Sequence, residues 1–155
     1  MTPTVDKYRN VLQPEIMKQF TDARGRVLGI PTHIGVGVMY YNKPEFDKAG
    51  VNIDQIKTYD EWVRVGQKMN RPADGVWFTV HHYAFAREFL LYTMQKGGYV
   101  IDPSGKVTVD GKPAVDALQF IYDNINTQKI ATIAPNASIY DPAFFEFMNK
   151  GNVLS

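Results

Sequence analysis

Three histidines, His33, His81 and His82, are the side chains of this chain best suited to acid–base or metal chemistry near neutral pH. His81 and His82 are adjacent, so an extended strand would point them to opposite faces of a sheet. No pair of carboxylates stands at a spacing typical of metal ligands. The sequence also lacks cysteine, which excludes disulfides, thiolate nucleophiles and zinc–sulfur sites. We therefore predict no metal site and no cofactor.

Hydroxyl and carboxyl groups give little indication of catalysis. Ser104, Ser138 and Ser155 fall in a predicted turn, a predicted loop and the last position, and none has the flanking glycines of a nucleophile elbow. No glycine-rich segment is followed by the lysine and hydroxyl pair of a phosphate loop. We predict no catalytic residue. A glycan-processing domain that uses Glu88 or Glu146 as a general acid remains an alternative hypothesis.

Aromatic and polar side chains suited to a sugar form a third group. A pyranose presents an apolar face that packs on flat rings and hydroxyls that need fixed hydrogen-bond partners. Trp77, His82 and Tyr83 run from the end of a predicted strand into a predicted helix, and Tyr140 precedes the last helix. We predict these four residues as ligand contacts. For Trp77 a place in the core is the simpler explanation, because a strand tryptophan is usually buried.

Helices are predicted from apolar periodicity and from residues that begin and end helices. The clearest is an apolar stripe from Ala114 to Ile125, opened by Pro113, and the best cap is the Thr58–Glu61 capping box. The other expected helices are one over 4–21 broken at Pro14, one from Pro44 to Gly50, one over 83–96 and one after the Asp141-Pro142 pair.

Strands are predicted where short apolar runs are rich in β-branched and aromatic residues. Such runs cover 27–30, 36–41, 75–80 and 106–109, whereas residues 128–140 are expected to form a loop. Tyr40, Tyr41 and Trp62 are assigned to packing. Helices interspersed with short strands predict an α/β fold, with a small sheet flanked by helices.

Several motifs occur in an order that resembles a known family. They are GxPxxxGxxxxYYNKxxFxKAG over 29–50, KTYDEW over 57–62, GGYVIDPSGKVTVDGKPAVDALQFIYDNI over 97–125 and FFEFMNKGNVLS over 144–155. This succession resembles the extracellular solute-binding proteins of ABC importers, in particular the sugar-binding branch typified by maltose-binding protein. The chain departs from the family at its last residues: it reads Gly151-Asn152-Val153-Leu154-Ser155 where the family has a Gly-Lys-x-Ala-Met strand.

The resemblance implies a periplasmic-binding-protein-like lobe and a function in transport. We expect residues 1–25 to be an arm from the preceding lobe or hinge, and residues 26–155 to form a single, incomplete C-terminal lobe. In the family, two lobes close by a hinge motion on a solute and deliver it to the membrane subunits of an importer. The resemblance therefore implies a carbohydrate ligand, no enzymatic activity, and a periplasmic or cell-surface location.

The resemblance also implies two further site residues. His33 and Gly35 follow Pro31, where the family crosses between its lobes at the floor of the cleft, and Gly35 would let a ligand approach the backbone closely. His33 is equally well explained as a hydrogen-bonded hinge residue. Tyr83 is the best match to the family's aromatic ligand contact before the Gly-Gly-Tyr segment.

Composition excludes other partners. The formal net charge is +1 with acids and bases interleaved, which gives no field suited to nucleic acid. No apolar stretch is long enough to span a bilayer, and the first residues lack the features of an export signal. A homodimer formed through surface left by the missing lobe is expected as a further partner, and an oligomerising structural module is the third hypothesis.

Overall fold

A computed structural model describes residues 2–32, 35, 37–82 and 86–155. The chain divides into two compact units, Met1–Val38 and Met39–Ser155. The expected boundary between an arm over 1–25 and a lobe over 26–155 stays a prediction.

The first unit contains the broken helix that the sequence predicts. Helix α1 (Thr2–Val5) continues into a 3₁₀ turn (Asp6–Tyr8), and helix α2 (Pro14–Gln19) starts at the proline because proline is tolerated in a first helical turn. Val5, Met17 and Val27 form its small buried cluster.

The strand predicted over 27–30 is wrong. Only Val27 makes a bridge, an isolated antiparallel one to Thr21, and Asp22 turns the chain between them by accepting from the backbone N–H groups of Arg24 and Arg26. Leu28 is 62% exposed, so little apolar burial favours a longer strand there.

Three helices of the second unit begin within one residue of their predicted starts. Asn42 accepts from the backbone N–H of Glu45 at the start of α3 (Lys43–Lys48), and Thr58 and Glu61 form the expected capping box of α4 (Tyr59–Met69). Asp141 accepts from the N–H of Ala143 at 2.8 Å to open α7 (Pro142–Asn149). These predictions are confirmed.

Two further helices pack against each other. Helix α5 (Arg87–Gln95) begins later than predicted, and Gly97 ends it in a left-handed conformation with φ 77° as expected. Helix α6 (Lys112–Asn126) covers the predicted stripe, with Ala114 and Ala117 buried.

The regular sheet consists of β1 (Thr79–His81) and β2 (Ala131–Ile133), which are parallel and paired from Thr79 with Ala131 to His81 with Ile133. On the other side of β1, Trp77 forms a parallel bridge with Val153, and the N–H of Leu154 donates to the carbonyl of Trp77 at 3.0 Å. The β1 segment therefore lies between β2 and the end of the chain.

Three expectations about strands and loops are wrong. Strand β2 lies within the segment 128–140 that was expected to be a loop, and the described residues 37–41 contain no strand. Within 106–109 only Val107 is paired, in an isolated bridge to Ile101. Tyr40 is 80% exposed and does not pack in the core, whereas the Tyr41 ring lies 5.0 Å from that of Phe46.

The main core packs residues of α3 and α4 against the segments that lead into β1 and β2 and against Leu154. Its buried members are Phe46, Trp62, Met69, Phe78, Ile130 and Leu154. Burial of such side chains, at about 25 cal/mol per Å² of apolar surface, is the main stabilising term. Helices packed around a short parallel sheet confirm the predicted α/β class. Among the described residues, no helix combines the length and apolarity that crossing a bilayer requires.

Candidate functional site

The carboxyl-terminal edge of the β1–β2 pair is the candidate site. Because the two strands are parallel, the segments that follow them leave the sheet at the same edge. His82 follows β1 directly, and the backbone N–H of Ala134 donates to the carbonyl of His81 at 2.8 Å, which ties the two strand ends together. Loops at such an edge commonly carry binding residues.

One carboxylate contacts both histidines at this edge. Glu88 lies in the first turn of α5, with Oε2 2.7 Å from Nδ1 of His81 and Oε1 3.5 Å from Nε2 of His82. The histidine side chains are 5% and 6% exposed and that of Glu88 is 28% exposed. A single acidic side chain thus connects the end of β1 to the start of α5.

The expectation that His81 and His82 point to opposite faces is wrong. Strand β1 ends at His81, so the alternation of a strand does not extend to His82, and both imidazoles turn towards Glu88. The described part of the chain contains no group of three or more His, Asp, Glu or Cys side chains that could hold a metal ion.

The segment that leaves β2 at this edge leads to Tyr140. A turn follows over Pro135–Ala137, in which Asn136 and Ala137 have φ of 53° and 55°, a conformation uncommon outside glycine. Tyr140 comes just before α7 and is 61% exposed. An exposed aromatic ring is the kind of side chain on which a sugar can stack.

The other predicted contacts lie elsewhere or cannot be placed. Trp77 is half-buried and precedes β1, whereas His82 follows it. The two residues therefore lie at opposite ends of the strand, separated by at most about 16 Å of extended chain. Gly35 is exposed and belongs to the first unit, and no atom of another described residue lies within 4 Å of where its Cβ would sit. His33 and Tyr83 lie outside the described residues. The ligand-contact roles of all six residues stay predictions.

The electrostatics around Glu88 affect a neighbouring phenol. Burial raises the pKa of Tyr92 far above its usual value of 10.0, and the charge of Glu88 and the nearby Tyr59 raise it further. The Tyr92 ring packs on those of Tyr59 and Phe120, with centroids 5.4 and 5.1 Å away. Tyr92 is therefore a neutral packing residue near the site.

A separate surface groove of about 460 Å³ lies against α3 and is lined by Tyr41, Lys43, Asp47 and Asp54 among others. Lys43 and Asp47 pair with each other at 2.6 Å across one turn of the helix. None of the four predicted contacts that the structure describes lines this groove.

Sequence reasoning missed Glu88 as a partner of the histidines. The Glu88 side chain reaches back from α5 to the end of β1. The spacing of six residues between His82 and Glu88 does not by itself indicate this contact. The signal that could have found it is the short predicted connection, because a glutamate in the first turn of a helix then lies near the end of the preceding strand.

Comparison with known proteins identifies the family. The profile of the bacterial extracellular solute-binding protein family matches residues 1–145. The chain therefore belongs to that family, which confirms the resemblance stated from the sequence motifs.

Two curated relatives are named as arabinooligosaccharide-binding proteins. The chain is 35% identical over 147 residues to an arabinooligosaccharide-binding protein of Halalkalibacterium halodurans, covering 90% of this chain and 33% of that protein. It is 32% identical over 162 residues to a Bacillus subtilis protein of the same name, covering 100% and 35%. The chain thus spans about a third of the length of these curated relatives.

Solved structures show the same fold. Maltose-bound MalE3 of T. maritima superposes with a TM-score of 0.65 at 26% identity, over 97% of this chain and 39% of that one. The ABC substrate-binding protein Lmo0181 of Listeria monocytogenes, in complex with cycloalternan, superposes with a TM-score of 0.61 at 25% identity, over 74% and 29%. The periplasmic-binding-protein-like fold is thereby confirmed.

Proposed function

We propose that this chain forms one lobe of a sugar-binding component of an ABC importer. Family membership and sugar-binding relatives support this role. The observation that carries it in the structure is the parallel pairing of β1 and β2, because it directs the segments of His82 and Tyr140 to one edge. A ligand at that edge would pack on the exposed Tyr140 ring and bond with polar groups after β1.

The ligand is an oligosaccharide built from arabinose or a similar sugar. The curated relatives with 35% and 32% identity are named for arabinooligosaccharides, and structural neighbours hold maltose and cycloalternan. The near-neutral net charge of +1 suits an uncharged sugar better than a phosphorylated one.

The mechanism is hinge closure. Two lobes rotate about crossing segments near residues 31–37 and enclose the sugar, and the closed form docks on the membrane subunits of the importer. The protein works outside the cytoplasm, in the periplasm or at the cell surface, in line with the extracellular family.

Titration of the ¹⁵N-labelled chain with arabinotriose tests this function. One lobe supplies half of the contacts, so we expect weak, millimolar affinity and amide shift changes concentrated at residues 81–82 and 138–141. Micromolar affinity by calorimetry would contradict a half-site. Amide shift changes confined to the groove at α3 would mean that the sugar binds there and not at the sheet edge. Arabinose and maltotriose serve as comparison ligands for length and sugar type.

Binding without catalysis is part of the proposal. The Lys150 ammonium 2.6 Å from Glu146 lowers the pKa of that carboxyl, first through their hydrogen bond, so Glu146 stays ionised at neutral pH and is a poor general acid. The Glu88 carboxylate contacts two histidine side chains. Release of nitrophenol from chromogenic arabinosides, abolished by Glu88→Gln or Glu146→Gln, would instead establish the glycan-processing alternative.

Self-association is a second proposal. Helix α6 leaves Val115, Leu118 and Tyr122 more than half exposed, at spacings that place them on one side of the helix. This stripe favours pairing of two copies. Light scattering of the chain should give a dimer mass that Leu118→Glu reduces to a monomer mass, and a monomer at every concentration would refute the dimer.

A further inference from the structure

We propose that Glu88 is a positioning residue of the candidate sugar site, holding the imidazoles of His81 and His82 in the orientation that ligand binding requires. This inference rests on the proposed function, because His82 is a predicted sugar contact.

The geometry makes Glu88 the common anchor of two elements. Its backbone belongs to the first turn of α5, and its carboxylate reaches Nδ1 of His81 at 2.7 Å and Nε2 of His82 at 3.5 Å. His81 is also fixed through its carbonyl, which accepts from the N–H of Ala134 at the end of β2. Glu88 thus joins the start of α5 to the end of β1, and the end of β1 is in turn joined to the neighbouring strand β2.

The short contact determines where a hydrogen lies. An ionised carboxylate only accepts hydrogen bonds, so Nδ1 of His81 must carry the hydrogen in the 2.7 Å contact. In the neutral ring, Nε2 is then the unprotonated nitrogen. That atom is buried and has no hydrogen-bond partner among the described residues. Glu88 therefore selects one tautomer and one ring orientation, as carboxylates do for histidines at functional sites.

Burial explains why loss of the carboxylate would change the site. Both imidazoles are more than nine-tenths covered, whereas Glu88 retains 28% exposure and lies outermost of the three. Without the carboxylate the buried N–H of His81 lacks its acceptor, which is unfavourable, so the His81 ring reorients. His82 is next in the chain and contacts the same carboxylate, so its imidazole also moves from the position that a ligand would meet.

The experiment compares Glu88→Gln and Glu88→Ala with the unaltered chain and with Glu15→Gln. Glu15 is a matched control, since it is also a first-turn glutamate but is 77% exposed and pairs with Lys18 of its own helix. Long-range ¹H–¹⁵N spectra of the imidazoles report the tautomer of His81, and amide shift titration with arabinotriose reports affinity.

We expect His81 to carry its hydrogen on Nδ1 in the unaltered chain and to change to the Nε2–H form in Glu88→Ala. Affinity for arabinotriose should fall about tenfold in Glu88→Ala. Glutamine keeps an acceptor oxygen, so Glu88→Gln should retain the Nδ1–H form and lose only about threefold in affinity. Glu15→Gln should match the unaltered chain in both measurements.

Each contrary result has a distinct meaning. An Nε2–H tautomer in the unaltered chain, or affinities of both Glu88 variants within the error of the unaltered chain, overturns the positioning role while the proposed function stands. Absence of any shift with arabinotriose, maltotriose or arabinose in the unaltered chain overturns the proposed function and this inference with it. If Glu88→Ala does not fold, the threefold loss and retained tautomer of Glu88→Gln decide the question.

Discussion

The side-chain carbonyl of Asn70 accepts a hydrogen bond from the backbone N–H of Phe78 at 2.8 Å. The amide nitrogen of the same side chain donates to the carbonyl of Lys129 at 2.6 Å. Asn70 follows the last residue of α4, so this one amide connects the end of the helix to the segments that lead into β1 and β2. It aligns the two strands before their own hydrogen bonds begin.

Asn70→Ala should lower the free energy of unfolding by about 2 kcal/mol, because the N–H of Phe78 and the carbonyl of Lys129 both lose their partner. Urea unfolding followed by circular dichroism measures the change. Asn126→Ala is the control, since Asn126 is exposed and its amide bonds only to the carbonyl of Tyr122 in the same helix. Equal losses in the two variants would contradict a special role for Asn70.

Gly66→Ala should destabilise the second unit although alanine favours helix formation. A Cβ on Gly66 would lie 2.6 Å from Cδ1 of Phe78 and 3.1 Å from Cδ1 of Ile130, both in fully buried side chains. Overpacking of this kind costs about 1–3 kcal/mol, more than the helix gain of about 1 kcal/mol. Thermal unfolding of Gly66→Ala should show a lower midpoint, while Arg64→Ala on the exposed face of α4 should not; a raised midpoint would show that Phe78 can move aside.

Glu61 should make stability depend on acid pH. The backbone N–H of Lys57 and then the Thr58 hydroxyl hold the pKa of the Glu61 carboxyl below its usual 4.5. A carboxyl with a lowered folded-state pKa stabilises fully above its unfolded pKa and loses that contribution as pH falls through the folded value. Glu61→Gln should therefore destabilise at pH 7 and differ less from the unaltered chain at pH 3, as measured by urea midpoints. A difference that does not depend on pH would contradict this assignment.

Tyr140→Ala should weaken sugar binding without lowering stability. Tyr140 is 61% exposed, so its removal opens no cavity, whereas the loss of a stacking ring costs about 1 kcal/mol of binding free energy. Tyr122→Ala is the control: its ring is 58% exposed, and it lies near the end of α6, which leads into the start of β2 rather than its carboxyl end. Arabinotriose titration should separate the two variants, and equal affinities would argue against a ligand at the sheet edge.

Helices of this chain could be predicted well because their signals are local. Thr58 with Glu61, Asp141 with Pro142, and Gly97 each act within one helical turn, and the structure confirms all three. Strands depend on distant partners, which a single sequence does not show. The run over 27–30 lacks a partner beyond one bridge, whereas β2 is short but pairs with β1 throughout its length.

The candidate site was predictable in its region but not in its contacts. Aromatic and polar residues near a strand end pointed to His82 and Tyr140, and the parallel register places their segments at one edge. Glu88 was considered only as an acid in a rival hypothesis. Its contact with two buried imidazoles depends on the angle between β1 and α5, and that angle is set by packing rather than by spacing along the chain.

The central position of β1 has a consequence for synthesis on the ribosome. Its neighbours lie about 50 and about 75 residues further along the chain, so the sheet cannot close until residue 153 has emerged. Until then Phe78 lacks Leu154, one of the side chains that cover it. The nascent polypeptide will contain helices that have already formed and apolar surface that is not yet covered. Chaperones recognise such a form, and it aggregates when they are scarce.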